Sequence, residues 1–200
     1  MNVTFQIAFV LLSYLLGAIP FGYILTKYYT GKSIMGLGSG NVGSTNVRRV
    51  AGRKTAIITQ LLDMFKGFLP VAIYLYFIDE IKMESEFYLY FIALATIIGH
   101  DFSIFLKFKG GKGINTTLGA SVLIVPFSVF ISVAIYYVVK WRFKYVSLGS
   151  IILGITLPLT EWFIHGLSSS FYYLMVCMLL IILLHRKNIN RLLHGQELSS

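Results

Sequence analysis

The sequence predicts an all-α, polytopic integral membrane protein with seven transmembrane helices, two of them short, its N-terminus outside and its C-terminus cytoplasmic. Composition is the first observation behind this: of 200 residues, 56% are hydrophobic and only 12% charged, against about a quarter charged in soluble domains. Mean hydropathy is +0.77. The second is that apolar runs recur near the roughly 20 residues that cross a bilayer as helix. No run shows barrel-like alternation, and backbone groups in lipid need internal partners, which leaves helices. The third is how Lys and Arg are distributed among the connecting loops.

The first run, about 3–26, has no Lys or Arg between Met1 and Tyr14 and outlasts a signal-peptide core before reaching Lys27 and Lys32. It reads as a first span entering from outside. Further spans are expected at about 55–78, 87–106, 145–163 and 170–184. The stretch 114–139 is long for one upright helix and short for two, with Pro126 in its middle. It is either one tilted, kinked helix or two short segments that meet near Pro126 and return to the original side.

Charge chooses between them. Segment 27–54 holds Lys27, Lys32, Arg48, Arg49, Arg53 and Lys54, and 107–112 holds Lys107, Lys109 and Lys112. Segment 140–144 holds Lys140, Arg142 and Lys144, and the tail holds Arg186, Lys187 and Arg191. Lys82 stands alone among Asp79, Glu80, Glu84 and Glu86. A single crossing would place 140–144 outside and the tail opposite the other basic loops. Doubling back gathers all of them on the cytoplasmic face, so seven spans are expected. The net charge of +9 then reflects membrane topology and bound anions, and no nucleic-acid partner is expected. Residues 1–200 read as a single domain, and the lone Cys177 as a small packing residue.

Three polar stretches interrupt the apolar chain. In GSGNVGSTN at 38–46, Gly38, Gly40 and Gly43 allow backbone amides to line a hollow, and Ser39, Asn41, Ser44, Thr45 and Asn46 add side-chain donors ahead of Arg48 and Arg49. Ser44 stands where a nucleotide-binding loop would place its Lys, which disfavours a nucleotide. The competing view is a flexible connecting loop. In FKGGKG at 108–113, Lys109 and Lys112 flank Gly110 and Gly111, and Lys112 stands where the next helix begins, a place that favours an anion. A Lys-rich structural turn is the alternative. In HRKNINRLLHGQE at 185–197, His185, Asn188 and Leu192 fall on one helical face. An amphipathic tail resting on anionic lipid would look the same.

Within the spans, Asp63 and Lys66 either neutralise each other or support the site. His100 and Asp101 are open between structural and catalytic roles. Ser147 and Ser150 read as helix caps, and Glu161 is assigned no role. No His/Asp/Glu cluster has metal-ligand spacing on the basic side, so no metal is expected.

Taken together, GAIPFGYI at 17–24, GSGNVGSTN, LLDMFKG at 61–67, GHDFSIFLKFKGGKG at 99–113, SLGSI at 147–151 and HRKNINRLLHGQE resemble the bacterial acyl-phosphate:glycerol-3-phosphate acyltransferase family, the PlsY family. The likeness runs through nearly the whole chain. It implies a multi-pass protein of the bacterial inner membrane with its active site on the cytoplasmic face. It also implies acyl transfer from a fatty acyl phosphate, supplied by a soluble phosphate acyltransferase, to the 1-hydroxyl of glycerol 3-phosphate. The products would be lysophosphatidic acid and inorganic phosphate, in the first step of phospholipid synthesis, with no cofactor. By position, His185, Asn188 and Lys112 are the expected catalytic residues. Ser39, Gly40, Asn41, Gly43, Thr45, Asn46, Arg49, Lys107, Gly110, Gly111 and Ser150 are the expected phosphate ligands. Arg49 rather than Arg48 matches the family arginine. Ser103 stands where a Pro is usual and Asn115 where a small residue usually follows, departures that bear on helix-end geometry.

Both substrates are anionic, so fixed cations must offset their repulsion. An acyl phosphate is already activated and requires no covalent enzyme intermediate. The hydroxyl proton goes either to His185 or to a substrate phosphate oxygen. A transporter of small phosphorylated anions is the competing class. It would want anion ligands outside, yet 79–86 is acidic and 164–169 carries no Lys or Arg. A lipid-binding regulator is a weaker third.

Overall fold

Proline and glycine set the helix boundaries of this chain. The computed structural model describes residues 3–81 and 86–198; Lys82 and Glu84 of the expected acidic loop lie outside the described residues. The described residues are helical, turn or irregular, without a strand. They form two compact units, 1–123 and 124–200.

In the first unit, the run expected as one span is two helices, α1 (Val3–Ala18) and α2 (Phe21–Thr30). Pro20 has no N–H to continue the ladder and its ring disfavours helix at Ile19. α2 then ends at Gly31, whose positive φ of 69° lets its N–H reach the Lys27 carbonyl. The next helix, α3 (Ser44–Ile81), starts well before the expected residue 55, so Arg48, Arg49, Arg53 and Lys54 are helical rather than in a loop. Gly52 (φ 84°, ψ 176°) breaks its regularity. A fourth helix, α4 (Glu86–Asp101), leads through a 3-10 turn at Ile104–Leu106 to α5 (Ile114–Ser121). Packing pairs α1 with α4 and α3 with α5. The second pairing is close because Gly67 faces the Thr116 carbonyl and Gly119 faces that of Met64, where a Cβ would collide.

The second unit is an antiparallel bundle of α6 (Pro126–Phe143), α7 (Val146–His165) and α8 (Ser169–Leu184), with a terminal α9 (Arg186–Leu193) bent 59° from α8. Segment 114–139 is therefore two helices, separated at 122–125. Pro126 opens α6, where its missing N–H costs nothing. α6 runs beyond 139 and makes Lys140 and Arg142 helical. Lys144 and Tyr145 alone connect α6 to α7, so the basic end of α6, the start of α7 and the end of α8 with α9 share one end of this bundle. At the other end the buried Glu161 accepts hydrogen bonds from Ser128 Oγ and Ser170 Oγ, each at 2.6 Å, and lies 3.0 Å from His165 Nδ1. The sequence assigned Glu161 nothing, because its partners sit on three helices.

By length and apolarity, Thr4–Thr30, Ser44–Phe77, Phe87–Leu106 and Val146–His165 can cross a membrane, and the bent pair α8 and α9 makes a fifth candidate. This is a multi-pass, all-helical membrane protein.

Candidate active site

The loop before α3 is built around one buried amide. Asn46, 2% exposed, donates from Nδ2 to the Leu37 and Asn41 carbonyls, both at 2.9 Å, and accepts the Ser39 N–H at 2.9 Å through Oδ1. The Gly40 N–H reaches the Leu37 carbonyl, and the Gly43 N–H reaches Asn41 Oδ1 at 2.8 Å. Asn46 is a strut of the loop, with its amide engaged by backbone. The amides of Ser39, Gly40 and Gly43 turn onto the loop's own acceptors instead of a common hollow. Ser44 and Thr45 open α3, in the helical turn whose N–H groups the helix itself does not use. Arg48 and Arg49 are exposed one turn further on.

The second loop is fastened to α4. Gly110 N–H donates to the Asp101 carbonyl at 3.1 Å and Gly111 N–H to the His100 carbonyl at 2.9 Å. Both N–H groups are thus engaged by the backbone at the end of α4. Glycine is needed at 111 because a Cβ would enter the His100 ring. Lys107 takes a left-handed conformation (φ 54°) and is exposed, and Lys112 is half-buried just before α5.

The two loops meet. Asn41 Nδ2 donates to the Gly110 carbonyl at 3.3 Å, and Asn115 Nδ2 to Ser44 Oγ at 3.3 Å. Below them Lys66 Nζ lies 3.0 Å from Asp63 Oδ1 and donates to the Ile19 carbonyl at 2.9 Å. His100, 6% exposed, has Nδ1 3.6 Å from Asp63, and its ring packs over Gly111. Ser103 donates to the Ala18 carbonyl at 2.5 Å. The two family departures, Ser103 and Asn115, thus both make tertiary hydrogen bonds.

In the second unit, His185 ends α8 and is 3% exposed, with Nδ1 2.8 Å from the Ile181 carbonyl. A carbonyl only accepts, so Nδ1 carries the proton, and Nε2 is the acceptor nitrogen of the neutral ring. Asn188 donates through Nδ2 to Glu197 Oε1 at 2.8 Å, and Arg191 Nε to Glu197 Oε2 at 2.8 Å. Burial pushes the Glu197 carboxyl up, but the hydrogen bonds from Arg191 and Asn188 and the Arg191 charge outweigh it and hold it below the ordinary range. Glu197 escaped the sequence reading, although it lies within the third motif. Only the fold-back of the chain at Gly195 (φ 65°) brings it to Asn188. Ser147 and Ser150 are not caps: Tyr145 occupies that position, and Ser150 Oγ donates within α7 to the Val146 carbonyl at 2.9 Å.

Fold and loops together define a polytopic membrane protein whose cationic and amide-bearing segments suit anionic ligands. The family model described as "Glycerol-3-phosphate acyltransferase" matches residues 7–195. The chain belongs to the glycerol-3-phosphate acyltransferase family. The glycerol-3-phosphate acyltransferase of Clostridium acetobutylicum is 41% identical, covering 94% of this chain and 96% of that protein. That of Syntrophotalea carbinolica is 39% identical, covering 94% and 93%. The crystal structure of PlsY (YgiH), an integral membrane glycerol 3-phosphate acyltransferase, in its glycerol 3-phosphate form is 37% identical with a TM-score of 0.88, covering 98% of this chain and 95% of that one. Its lysophosphatidic acid form is 36% identical with a TM-score of 0.83, covering 97% and 94%.

Proposed function

We infer that this protein transfers a fatty acyl group from acyl phosphate to the 1-hydroxyl of glycerol 3-phosphate, giving lysophosphatidic acid and inorganic phosphate. It is a glycerol-3-phosphate acyltransferase by family, and the PlsY crystal structures it resembles are a glycerol 3-phosphate form and a lysophosphatidic acid form. The observation that carries the site is the Asn41–Gly110 hydrogen bond, which brings segments 69 residues apart into one place.

In this reading the hydroxyl oxygen attacks the acyl carbonyl, a new ester C–O bond forms, and the acyl–phosphate bond breaks with phosphate leaving. His185 Nε2 takes the hydroxyl proton, since its ring already gives Nδ1–H to Ile181. Asn188, held by Glu197 through its amide nitrogen, orients the acceptor. Lys112 stabilises negative charge on the carbonyl oxygen and the departing phosphate. Ser39, Thr45 and Arg49 hold one phosphate with the open amides at the start of α3, Asn41 fastens the loop that seats it to Gly110, and Lys107 and Ser150 contribute to the other. Asn46, Gly40, Gly43, Gly110 and Gly111 serve by shaping these loops. The donor is self-activated, so no cofactor or metal enters.

The same reading makes 1–200 one catalytic domain with seven spans, N-terminus outside and C-terminus inside, in the bacterial inner membrane with its site on the cytoplasmic face. A soluble enzyme supplies the acyl phosphate there. Within the second unit, 140–144 and α9 lie at one end of the bundle, which supports that topology. Detergent-purified protein given acyl phosphate and labelled glycerol 3-phosphate is expected to form labelled lysophosphatidic acid. No product, with uptake of label into proteoliposomes instead, overturns the enzyme reading in favour of transport.

A further inference from the structure

Lys66 and Asp63 lie on α3, each 1% exposed, below both loops of the first unit. We propose that Lys66 is a positioning residue for acyl transfer: through the Ile19 carbonyl and through Asp63 it sets the separation between loop 37–43 and loop 102–113. This rests on the reading of those loops as phosphate seats.

Pro20 stops α1, so the carbonyls at its end lose the donors that a continuing helix would supply. Ser103 Oγ serves Ala18, and Lys66 Nζ serves Ile19 at 2.9 Å. From Ile19 the chain passes through Pro20 and Phe21 to Gly22, whose backbone lies against the Val42 carbonyl so closely that a Cβ would overlap it. Val42 sits between Asn41 and Gly43, the pair that closes the first loop. The other arm starts at Asp63 Oδ1, 3.0 Å from Lys66 Nζ and 3.6 Å from His100 Nδ1. The His100 ring packs over Gly111, and the His100 carbonyl holds the Gly111 N–H. One buried ion pair therefore has an arm to each loop, and the loops touch above it at Asn41 and Gly110.

An ammonium suits this place because it carries three donors on one atom. It pairs with the Asp63 carboxylate and donates to the Ile19 carbonyl, and the charge also lies 5.6 Å from the centre of the Phe21 ring. An apolar residue could fill the volume and hold neither arm. Buried ion pairs are commonly replaceable by apolar residues without loss of stability, and ionisable residues within spans mark functional places.

The test uses full-length protein in detergent. Lys66→Met, and the neutral pair Asp63→Asn with Lys66→Met, are compared with wild type for KM toward glycerol 3-phosphate, for kcat, and for the distance between spin labels at Gly36→Cys, at the edge of the first loop with open space around it, and Lys109→Cys in a Cys177→Ser background. The expected result is a KM raised about tenfold with kcat within about threefold, the pattern of lost binding geometry, together with a broadened label distance. A folded variant with wild-type KM and an unchanged distance overturns the proposal. Gly22→Ala leaves both charges in place and displaces Val42. It must raise KM in the same way, and a wild-type KM there overturns the proposal even if the charge variants fail to fold. Arg49→Ala separates the two levels. If KM is unchanged in Arg49→Ala as well, the loops are not phosphate seats and the underlying reading fails. A raised KM in Arg49→Ala with a wild-type value in Lys66→Met defeats the positioning role alone.

Discussion

At His185 the sequence offers a histidine after an apolar run, and the fold supplies its tautomer. The Ile181 carbonyl, 2.8 Å from Nδ1, requires a proton there and leaves Nε2 as acceptor. His185→Ala is expected to lower kcat/KM about a hundredfold and to remove the acid limb of the pH–rate profile. An unchanged profile with a modest loss assigns the proton to a substrate phosphate. Glu197 works differently, as the partner of Asn188 and Arg191 with its side chain 4% exposed. Its carboxyl is held below the ordinary 4.5. A depressed folded-state value gives stability that is present in full above the unfolded value and lost as pH falls through the folded one. Thermal melts should show that acid loss in wild type. Glu197→Gln should melt lower at neutral pH, by about 1–3 kcal/mol, and show less dependence on pH below the ordinary carboxylate range. Equal melting curves would contradict this.

Element boundaries depended on local chemistry that periodicity does not carry. Pro20 was visible, but the continuous apolar run through it concealed the break between α1 and α2. The early start of α3 was hidden because its first turns are rich in Arg, Lys, Ser and Thr, which read as loop. Conversely, Pro126 correctly marked a division, since a proline at a helix start loses no hydrogen bond. The glycines of the second loop were legible as a motif, but their packing was not: their amides bond to α4, and Gly111 is there to admit the His100 ring. Gly111→Ala should therefore overpack that contact and destabilise the protein by about 1–3 kcal/mol. Gly36→Ala, with no atom within 4 Å of its added Cβ, should stay within about 0.5 kcal/mol. Thermal unfolding in one detergent compares them. Equal shifts would remove the steric account.

At the scale of the whole molecule, the expected sidedness can be measured directly. In a Cys177→Ser background, single cysteines replacing Lys109 and Arg142 should react with a membrane-impermeant maleimide only from the cytoplasmic side. One replacing Leu167, exposed between α7 and α8, should react only from outside. If Lys109 and Arg142 label from opposite faces, 114–143 crosses once and the seven-span count falls. Composition, apolar run length and the placing of Lys and Arg determined by themselves that this is an all-helical membrane protein with basic loops, because partition into lipid and the backbone's need for hydrogen bonds act on every residue independently of its distant neighbours. Which amides remain open, that Asn46 and Glu197 hold the loop and the tail, and that Lys66 reaches the broken end of α1 were decided by tertiary structure alone. Each depends on hydrogen bonds whose donors and acceptors are brought within about 3 Å by helices or turns between them, and no local pattern in the chain records that distance.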